Sequence, residues 1–333
     1  MLSVLITVFE QRISLEMLLY CLRAQTIDEP FEVIICDDGS SDESFSSIRA
    51  NTDFLGLDIR YIWQSKLGYR AARSKNNGIG CARGDLLVFL DGDILIKPDF
   101  LSRHRSAHHS SKQLVCNPRR WVSVAAVPSK VTVAECKRDS SLLLSQLLPL
   151  AKSEITRLFE LLERISIDND RARQQMLFSS DAPWMACIGF SFSAERCSEM
   201  YFDENFEGWG PEDREFVLRM VKKNGYTIFF DDQIQVFHLV ACSTGRLSSS
   251  GLPNSPPQIV SYLKNMVHFR AMYPNEDLSR AMMPLMNYRF NSVSKAWELS
   301  PDTATRERWS VRDLAAKISS IEEWLRANSP DVR

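Results

Sequence analysis

Two carboxylates close an apolar run in Leu86-Leu87-Val88-Phe89-Leu90-Asp91-Gly92-Asp93. The run reads as a buried strand, so the acids fall where the chain leaves a sheet. In open α/β sheets, ligands gather at the carboxyl ends of strands. Two acids there repel each other and are costly to desolvate unless a cation lies between them or water covers them. Hard divalent cations such as Mg²⁺ and Mn²⁺ prefer oxygen ligands and share them with substrate phosphates. The chemistry expected is a metal–diphosphate site. The plainer alternative is an Asp-Gly-Asp turn that caps the next helix.

A second acidic pair, Glu212-Asp213, follows Phe206-Glu207-Gly208-Trp209-Gly210-Pro211. The two glycines let the backbone turn tightly and present a flat indole face. Pro211 suits the first helical turn, where the helix dipole also favours the charge of both acids. A carboxylate held there can act as a general base for an attacking hydroxyl. Acids on successive residues cannot both point at one atom, so a division of labour is expected. The alternative is a well-capped helix with Trp209 as a core anchor.

Cations lie between these two stretches. Lys66-Leu67-Gly68-Tyr69-Arg70-Ala71-Ala72-Arg73-Ser74-Lys75-Asn76-Asn77-Gly78 reads as a loop and helix whose cations face the same sheet end as the acids. That arrangement suits a nucleoside diphosphate bridged to a metal; a solvated helix face is the alternative. His104, His108 and His109 have helical spacing, and an exposed cluster is expected there rather than zinc. His238 follows a strand.

The elements that must position these residues alternate. Leu2 to Phe9 reads as a central strand, followed by Leu15, Leu18, Leu19 and Leu22 at helical spacing. Phe31 to Cys36 is a strand that runs into Asp37-Asp38-Gly39-Ser40-Ser41-Asp42, with Ser40 or Ser41 as a helix cap. Leu57 to Trp63 is the next strand. Strand and helix in alternation predict a parallel, doubly wound sheet. Trp121 to Val127 and Trp184 to Ser193 read as strands, and a helical insertion, 131–178, lies between them. Its stripe is Ile155, Leu158, Phe159, Leu162 and Ile165, and Pro149 separates two helices. Tyr226–Phe230 and Ile234–Phe237 are short strands, the second ending in His238. A loop rich in Ser, Gly and Pro, Ser243 to Pro257, is composed to fold over a ligand or to act as a linker. The remainder is helical, with a stripe of Leu314, Ile318, Ile321 and Leu325 behind a capping-box variant of Ser310 and Asp313. This tail packs on the catalytic domain, forms a homodimer or docks a partner.

The 333 residues are 44% hydrophobic and 25% charged, with a formal net charge of −2. That is globular composition with no nucleic-acid footprint. No apolar run approaches the roughly 20 residues that span a bilayer. The N-terminal residues lack a basic flank and a cleavage site, and read as a strand rather than a signal peptide. Cysteines at 21, 36, 81, 116, 136, 187, 197 and 242 form no C-x-x-C pair. The expectation is a reduced, cytoplasmic protein, either free or peripheral at the inner membrane surface.

Taken in order, the strand ending in Asp37-Asp38-Gly39-Ser40-Ser41-Asp42, then Gly68-Tyr69-Arg70-Ala71-Ala72-Arg73-Ser74-Lys75-Asn76, then Phe89-Leu90-Asp91-Gly92-Asp93 resemble a family-2 glycosyltransferase of GT-A fold. Gly208-Trp209-Gly210-Pro211-Glu212-Asp213 resembles the G-W-G-x-E-D motif of galactosyl- and N-acetylgalactosaminyltransferases, including the chondroitin-polymerase type. The resemblance implies an α/β fold with a catalytic domain over 1–245, comprising a nucleotide-binding half (1–127), the insertion and an acceptor half (184–245). A helical extension then occupies 246–333.

The resemblance also implies roles for residues. Thr7 and Phe9 would line the nucleoside pocket, and Asp37 or Asp38 would recognise uracil. Arg70, Arg73 and Lys75 would touch the diphosphate. Lys75 stands where many relatives carry Arg, and it keeps the charge but loses the bidentate fork. Asp91 would face the ribose and bridging waters. Asp93 and His238 would ligate Mn²⁺ or Mg²⁺. Trp209 would pack on sugar, Glu212 would bond sugar hydroxyls and Asp213 would be the base. The implied donor is a UDP-sugar, with UDP-galactose or UDP-N-acetylgalactosamine favoured, and the acceptor is a glycan, small molecule or peptide. Two other readings have their own signatures. A nucleotidyl or phosphoryl transferase would show G-x-x-x-x-G-K-[ST], which is absent from the sequence. A silent sugar-nucleotide-binding or scaffold protein would not need Asp213.

Overall fold

The computed structural model describes residues 1–50, 55–123, 159–160, 162–164, 192–240, 255–299 and 310–328. Its central sheet is built on β1 (Leu2–Val8), which lies between β2 (Phe31–Asp37) and β4 (Leu86–Asp91), both parallel to it. Outside β2 lies β3 (Asp58–Trp63), also parallel. The chain therefore runs outward from β1 to β3 and crosses back to β4. That reversal opens a crevice at the carboxyl ends of β1 and β4, the place where open α/β sheets bind ligands. Thr7 on β1 is in register with Asp91 on β4, and Val8 with Asp37.

Beyond β4 the sheet becomes mixed. β8 (Phe192–Glu195) is antiparallel to β4, β6 (Gln113–Cys116) is antiparallel to β8, and β9 (Thr227–Phe230) is parallel to β6. A small second sheet joins β5 (Ile94–Ile96), β10 (Val236–Val240) and β7 (Arg119–Ser123). His238 sits inside β10, not at the end of a strand closing at Phe237 as the hydropathy implied, because β10 gains its register from pairing with β5 and β7.

Strand alternation divides the core into two. Leu5, Ile34, Leu87 and Phe89 face one side, while Val4, Ile6, Val33, Ile35, Val88 and Leu90 face the other. Helix α1 (Arg12–Arg23) covers the second side with Leu15, Leu18, Leu19 and Leu22, as the spacing predicts. Each such side chain, fully buried, contributes about 1.5–3 kcal/mol. The first side is covered by α3 (Ala71–Cys81), α5 (Glu212–Lys222), α6 (Pro256–Met272) and α7 (Val311–Asn328). The C-terminal helices thus share the core of α5. Leu314, Ile318, Ile321 and Leu325 are all buried within this chain, which is the first of the three readings of that stripe. Ser310 and Asp313 form the expected reciprocal cap, with Ser310 N–H donating to Asp313 Oδ2 at 2.9 Å and Asp313 N–H to Ser310 Oγ at 3.2 Å.

Other local expectations are corrected. The short helix α2 (Ser44–Ala50) is capped by Asp42, whose Oδ1 accepts from Ser44 N–H at 3.2 Å, not by Ser40 or Ser41. Those serines are engaged by Asp37 and Glu10. His104, on α4 (Phe100–Ala107), is fully buried rather than exposed, and its ring nitrogens bond Ser193 Oγ at 2.8 Å and Asn117 Oδ1 at 3.2 Å. Of the helical insertion only residues 159–160 and 162–164 are described, with Phe159 and Leu162 buried in the second core; the rest lies outside the described residues. Residues 124–127 and 184–191 of two expected strands, and 243–254 of the loop, also lie outside them. Among the described residues, no helix is long and apolar enough to cross a membrane.

Candidate active site

Asp91 ends β4 and the chain turns at once through Gly92 to Asp93. Gly92 N–H donates to Thr7 O at 2.9 Å, continuing the β1 ladder. A Cβ on Gly92 would stand 2.6 Å from Val8 Cγ1 and 2.8 Å from Gln11 Oε1, so a larger residue between the acids must displace both side chains. Asp93 Oδ2 accepts from Gln11 Nε2 at 3.0 Å and lies 3.1 Å from His238 Nε2. Residues that the sequence separates widely therefore meet. Asp93 Oδ1 and His238 Nδ1 are buried without a hydrogen-bond partner. Trp121 meets the imidazole edge-on at 5.0 Å. Burial pushes the Asp91 carboxyl up; Lys75 draws it down and Asp93 pushes it up again.

The nucleoside end of the crevice is built from the turn after β2. Asp37 Oδ1 accepts from Ser40 N–H at 2.8 Å and Ser40 Oγ at 2.7 Å, and its Oδ2 accepts from the Tyr61 hydroxyl. Asp38 Oδ1 accepts from Gln64 Nε2 at 2.7 Å, and Oδ2 from Arg70 N–H at 2.7 Å. Both carboxylates are buried and engaged in holding the turn. Lys66 Nζ lies 3.5 Å from Asp38 and 3.3 Å from the centre of the Phe9 ring. Thr7 and Phe9 are half-buried at this edge.

The three cations of the α3 region have different fates. Arg70 is buried and donates to Ser65 O, while its Nε has no partner. Arg73 is 54% exposed, with Glu204 at 4.0 Å. Lys75 is half-buried, and its Nζ lies 2.9 Å from Glu212 Oε1. Burial alone would lower the pKa of Lys75, but Glu212, Asp91 and Asp213 raise it, so the ammonium is held charged. Lys75 is the electrostatic link between the strand-end acids and the α5 acids.

Glu212 and Asp213 open α5, with Pro211 immediately before the helix and not inside it. Asp213 Oδ1 accepts from Arg214 N–H at 2.8 Å. Trp209 is half-buried and meets Tyr262 of α6 edge-on at 5.3 Å. Gly208 has φ +85°, and an added Cβ would fall 2.2 Å from Ser261 Cβ. The loop is therefore seated on α6.

Asp91, Asp93, His238, Lys75, Glu212 and Asp213 form one cluster. Several neighbours carry no sequence signal of their own. Gln11 reaches Asp93 from the start of α1. Tyr69 lies within the Gly68–Asn76 stretch but carries no charge that marks it there, and its carbonyl accepts from Gly208 N–H at 2.8 Å. Although the residue as a whole is 39% exposed, desolvation of its hydroxyl, then Glu212, Asp91, Asp213 and Asp38, push that hydroxyl well above the usual phenol range. Its place inside the basic stretch is the one hint the sequence offers. Among the described residues, no cluster of three His, Cys, Asp or Glu side chains has metal-holding geometry. Asp93 and His238 provide a carboxylate and an imidazole, both with a buried unpartnered atom, which is a donor set that fits a divalent cation shared with phosphate and water.

Comparison with known proteins follows the same lines. The profile of Glycosyl transferase family 2 matches residues 3–132. Hyaluronan synthase of Pasteurella multocida is 29% identical over 246 residues, covering 71% of this chain and 24% of its own. The chain thus spans about a quarter of that relative's length. The crystal structure of S. aureus TarS 1-349 in complex with UDP-GlcNAc aligns with a TM-score of 0.53 at 15% identity, over 84% of this chain and 68% of that one. The mannosyltransferase PcManGT from Pyrobaculum calidifontis, in complex with GDP-Man and Mn²⁺, aligns with a TM-score of 0.51 at 13% identity, over 99% of this chain and 75% of that one. The mostly parallel sheet and these structural alignments establish that the chain has the GT-A fold, and its residues 3–132 are similar to Glycosyl transferase family 2.

Proposed function

We propose that the chain is a metal-dependent, inverting glycosyltransferase that moves a hexose or N-acetylhexosamine from a UDP-sugar to an acceptor hydroxyl. One observation carries the reading. Asp93 meets His238 at 3.1 Å, while Lys75 ties the adjacent Asp91 electrostatically to Glu212 and Asp213. Strand-end acids and helix-start acids thus share one crevice, as a donor site and an acceptor base must.

Asp93 and His238 would hold Mn²⁺ or Mg²⁺, and a solved neighbour contains Mn²⁺ with a sugar nucleotide. A divalent cation bound there supplies charge neutralisation for the departing diphosphate. The chain's own groups do the rest. Thr7 and Phe9 line the nucleoside, and Asp37 and Asp38 order the turn against which the base rests. Asp91 faces the ribose, and Arg70 and Arg73 offer positive charge to the phosphates. Trp209 presents its ring to sugar and Glu212 bonds sugar hydroxyls. Asp213 takes the proton of the attacking acceptor hydroxyl. UDP-galactose and UDP-N-acetylgalactosamine are favoured on the Gly208–Asp213 motif, and the acceptor is a glycan, small molecule or peptide.

Asp213→Asn tests the base. It keeps size and polarity but cannot take a proton. The expected result is UDP affinity within about twofold of wild type and transfer reduced by a factor on the order of 10² or more. Near-normal turnover in this variant contradicts the assignment and moves the role to Glu212.

A further inference from the structure

Asn265 lies on the buried face of α6 and is 4% exposed. Its neighbours on that face, Ile259, Tyr262, Leu263, Met266 and Phe269, are apolar core residues. An amide is retained in such a position only when its polar atoms are satisfied. Its Nδ2 points at the backbone of the loop that precedes α5. It donates to Gly210 O at 2.6 Å and Glu207 O at 3.0 Å, and Trp209 O stands at 3.5 Å. Only an amino group can face three carbonyls, so the orientation of the amide follows from its partners.

The loop wraps around this one side chain. The positive φ of Gly208 and Gly210, +85° and +44°, turns their neighbours' carbonyls inward. Ser261, one turn earlier on α6, accepts from Trp209 N–H at 3.3 Å, and Tyr262 supports the indole. The same loop leads within three residues to Glu212 and Asp213.

We infer that α6 is the floor of the acceptor subsite and that Asn265 is the positioning residue that fixes the Glu207–Gly210 loop, and through it Trp209, Glu212 and Asp213. The inference rests on the reading of Asp213 as the base. It also adds a physical claim about the loop that is measurable without turnover. Asn265 touches no substrate. It acts by holding the carbonyls of a loop whose other face carries the reacting groups. Loss of its donors leaves the Glu207 and Gly210 carbonyls without this partner, and the loop must shift to find another.

The test compares wild type with Asn265→Asp, which is nearly isosteric but presents acceptors to acceptors, and with Asn265→Leu, which keeps packing and removes the donors. Amide deuterium exchange is read over residues 207–213, with β1 and β4 as internal reference, and UDP affinity is measured by calorimetry with Mn²⁺. The expected result is exchange over 207–213 faster on the order of tenfold, with the reference strands and UDP affinity unchanged. Where wild type turns over a UDP-sugar, kcat falls and the donor KM stays. Unchanged exchange over 207–213 in a folded variant overturns the inference. Exchange rising equally over the whole chain in both variants also overturns it, since the role is then only that of a core residue. Absence of UDP binding by wild type, with the loop effect present, rejects the proposed function and leaves the positioning role standing.

Discussion

Lys75 Nζ and Glu212 Oε1 lie 2.9 Å apart, with side chains only 11% and 9% exposed. The two residues are 137 positions apart in sequence. Their pairing joins α3, which lies between β3 and β4, to the first turn of α5. Removing one partner strands a charge in a poorly solvated place, whereas removing both does not. Lys75→Met is therefore expected to lower stability by roughly 2–4 kcal/mol, and Glu212→Gln by less. The double variant should be clearly less destabilised than the sum. Denaturant unfolding of the four proteins checks this, and additive losses would mean that the pair contributes no coupling.

Asp93 and His238 are expected to act together on metal-linked affinity. Asp93→Ala and His238→Ala should each abolish the part of UDP affinity that Mn²⁺ adds, and the double variant should lose no more than either alone. Calorimetry with Mn²⁺ and with EDTA reads this directly. A variant whose Mn²⁺-linked affinity is unchanged removes that residue from the metal shell.

Gly92 is a packing prediction at the same place. A methyl group there meets Val8 Cγ1 at 2.6 Å and Gln11 Oε1 at 2.8 Å. Gly92→Ala should cost about 1–3 kcal/mol of stability, and it should weaken Mn²⁺-dependent UDP binding by displacing Gln11 from Asp93. Wild-type affinity in this variant would show that the crevice tolerates the displacement.

Much of this architecture is legible in the amino-acid sequence. The apolar run ending in Asp91 and Asp93 announces a central strand because burial on both faces requires continuous hydrophobicity. Ser310 and Asp313 announce a helix start because capping is local. The Glu212-Asp213 pair is legible for the same reason. The pairing of Lys75 with Glu212, the reach of Gln11 to Asp93 and the grip of Asn265 on the Gly208–Gly210 loop are not. Each depends on helices brought together by the core, and no local spacing encodes that. Hydropathy marks His238 but ends its strand too early, because β10 takes its extent from pairing with β5 and β7. His104 has the polar neighbours of a surface histidine. It is buried because α4 turns that face toward Ser193 and Asn117.

Glu32, at the opposite end of β2 from the crevice, offers a pH prediction independent of the site. Burial would raise its pKa, but hydrogen bonds from Ser3, the Arg83 backbone, Arg60 and the Arg83 side chain hold it down at about 2. A carboxyl depressed in the folded state stabilises fully above its ordinary value near 4.5 and loses that contribution as pH falls toward 2. Wild type should therefore lose on the order of 2–3 kcal/mol from this residue across that window. Glu32→Gln should be less stable at pH 7, should show a shallower acid decline and should bind UDP normally. Parallel acid curves for the two proteins would contradict the assignment.

The central claim is that this crevice binds a UDP-sugar with a divalent metal and transfers its sugar. The most direct measurement is thermal stability and UDP release for wild type against UDP-galactose, UDP-N-acetylgalactosamine, UDP-glucose, UDP-N-acetylglucosamine and UDP-glucuronate, each with Mn²⁺ and with EDTA. A ligand that binds only the folded state adds about 2.7 kcal/mol of stability at a hundredfold excess over its Kd. The account predicts a raised melting temperature and UDP release with at least one galactose-type donor, both lost in EDTA and the release lost in Asp213→Asn. No shift and no release with any of the five donors in Mn²⁺ would contradict it.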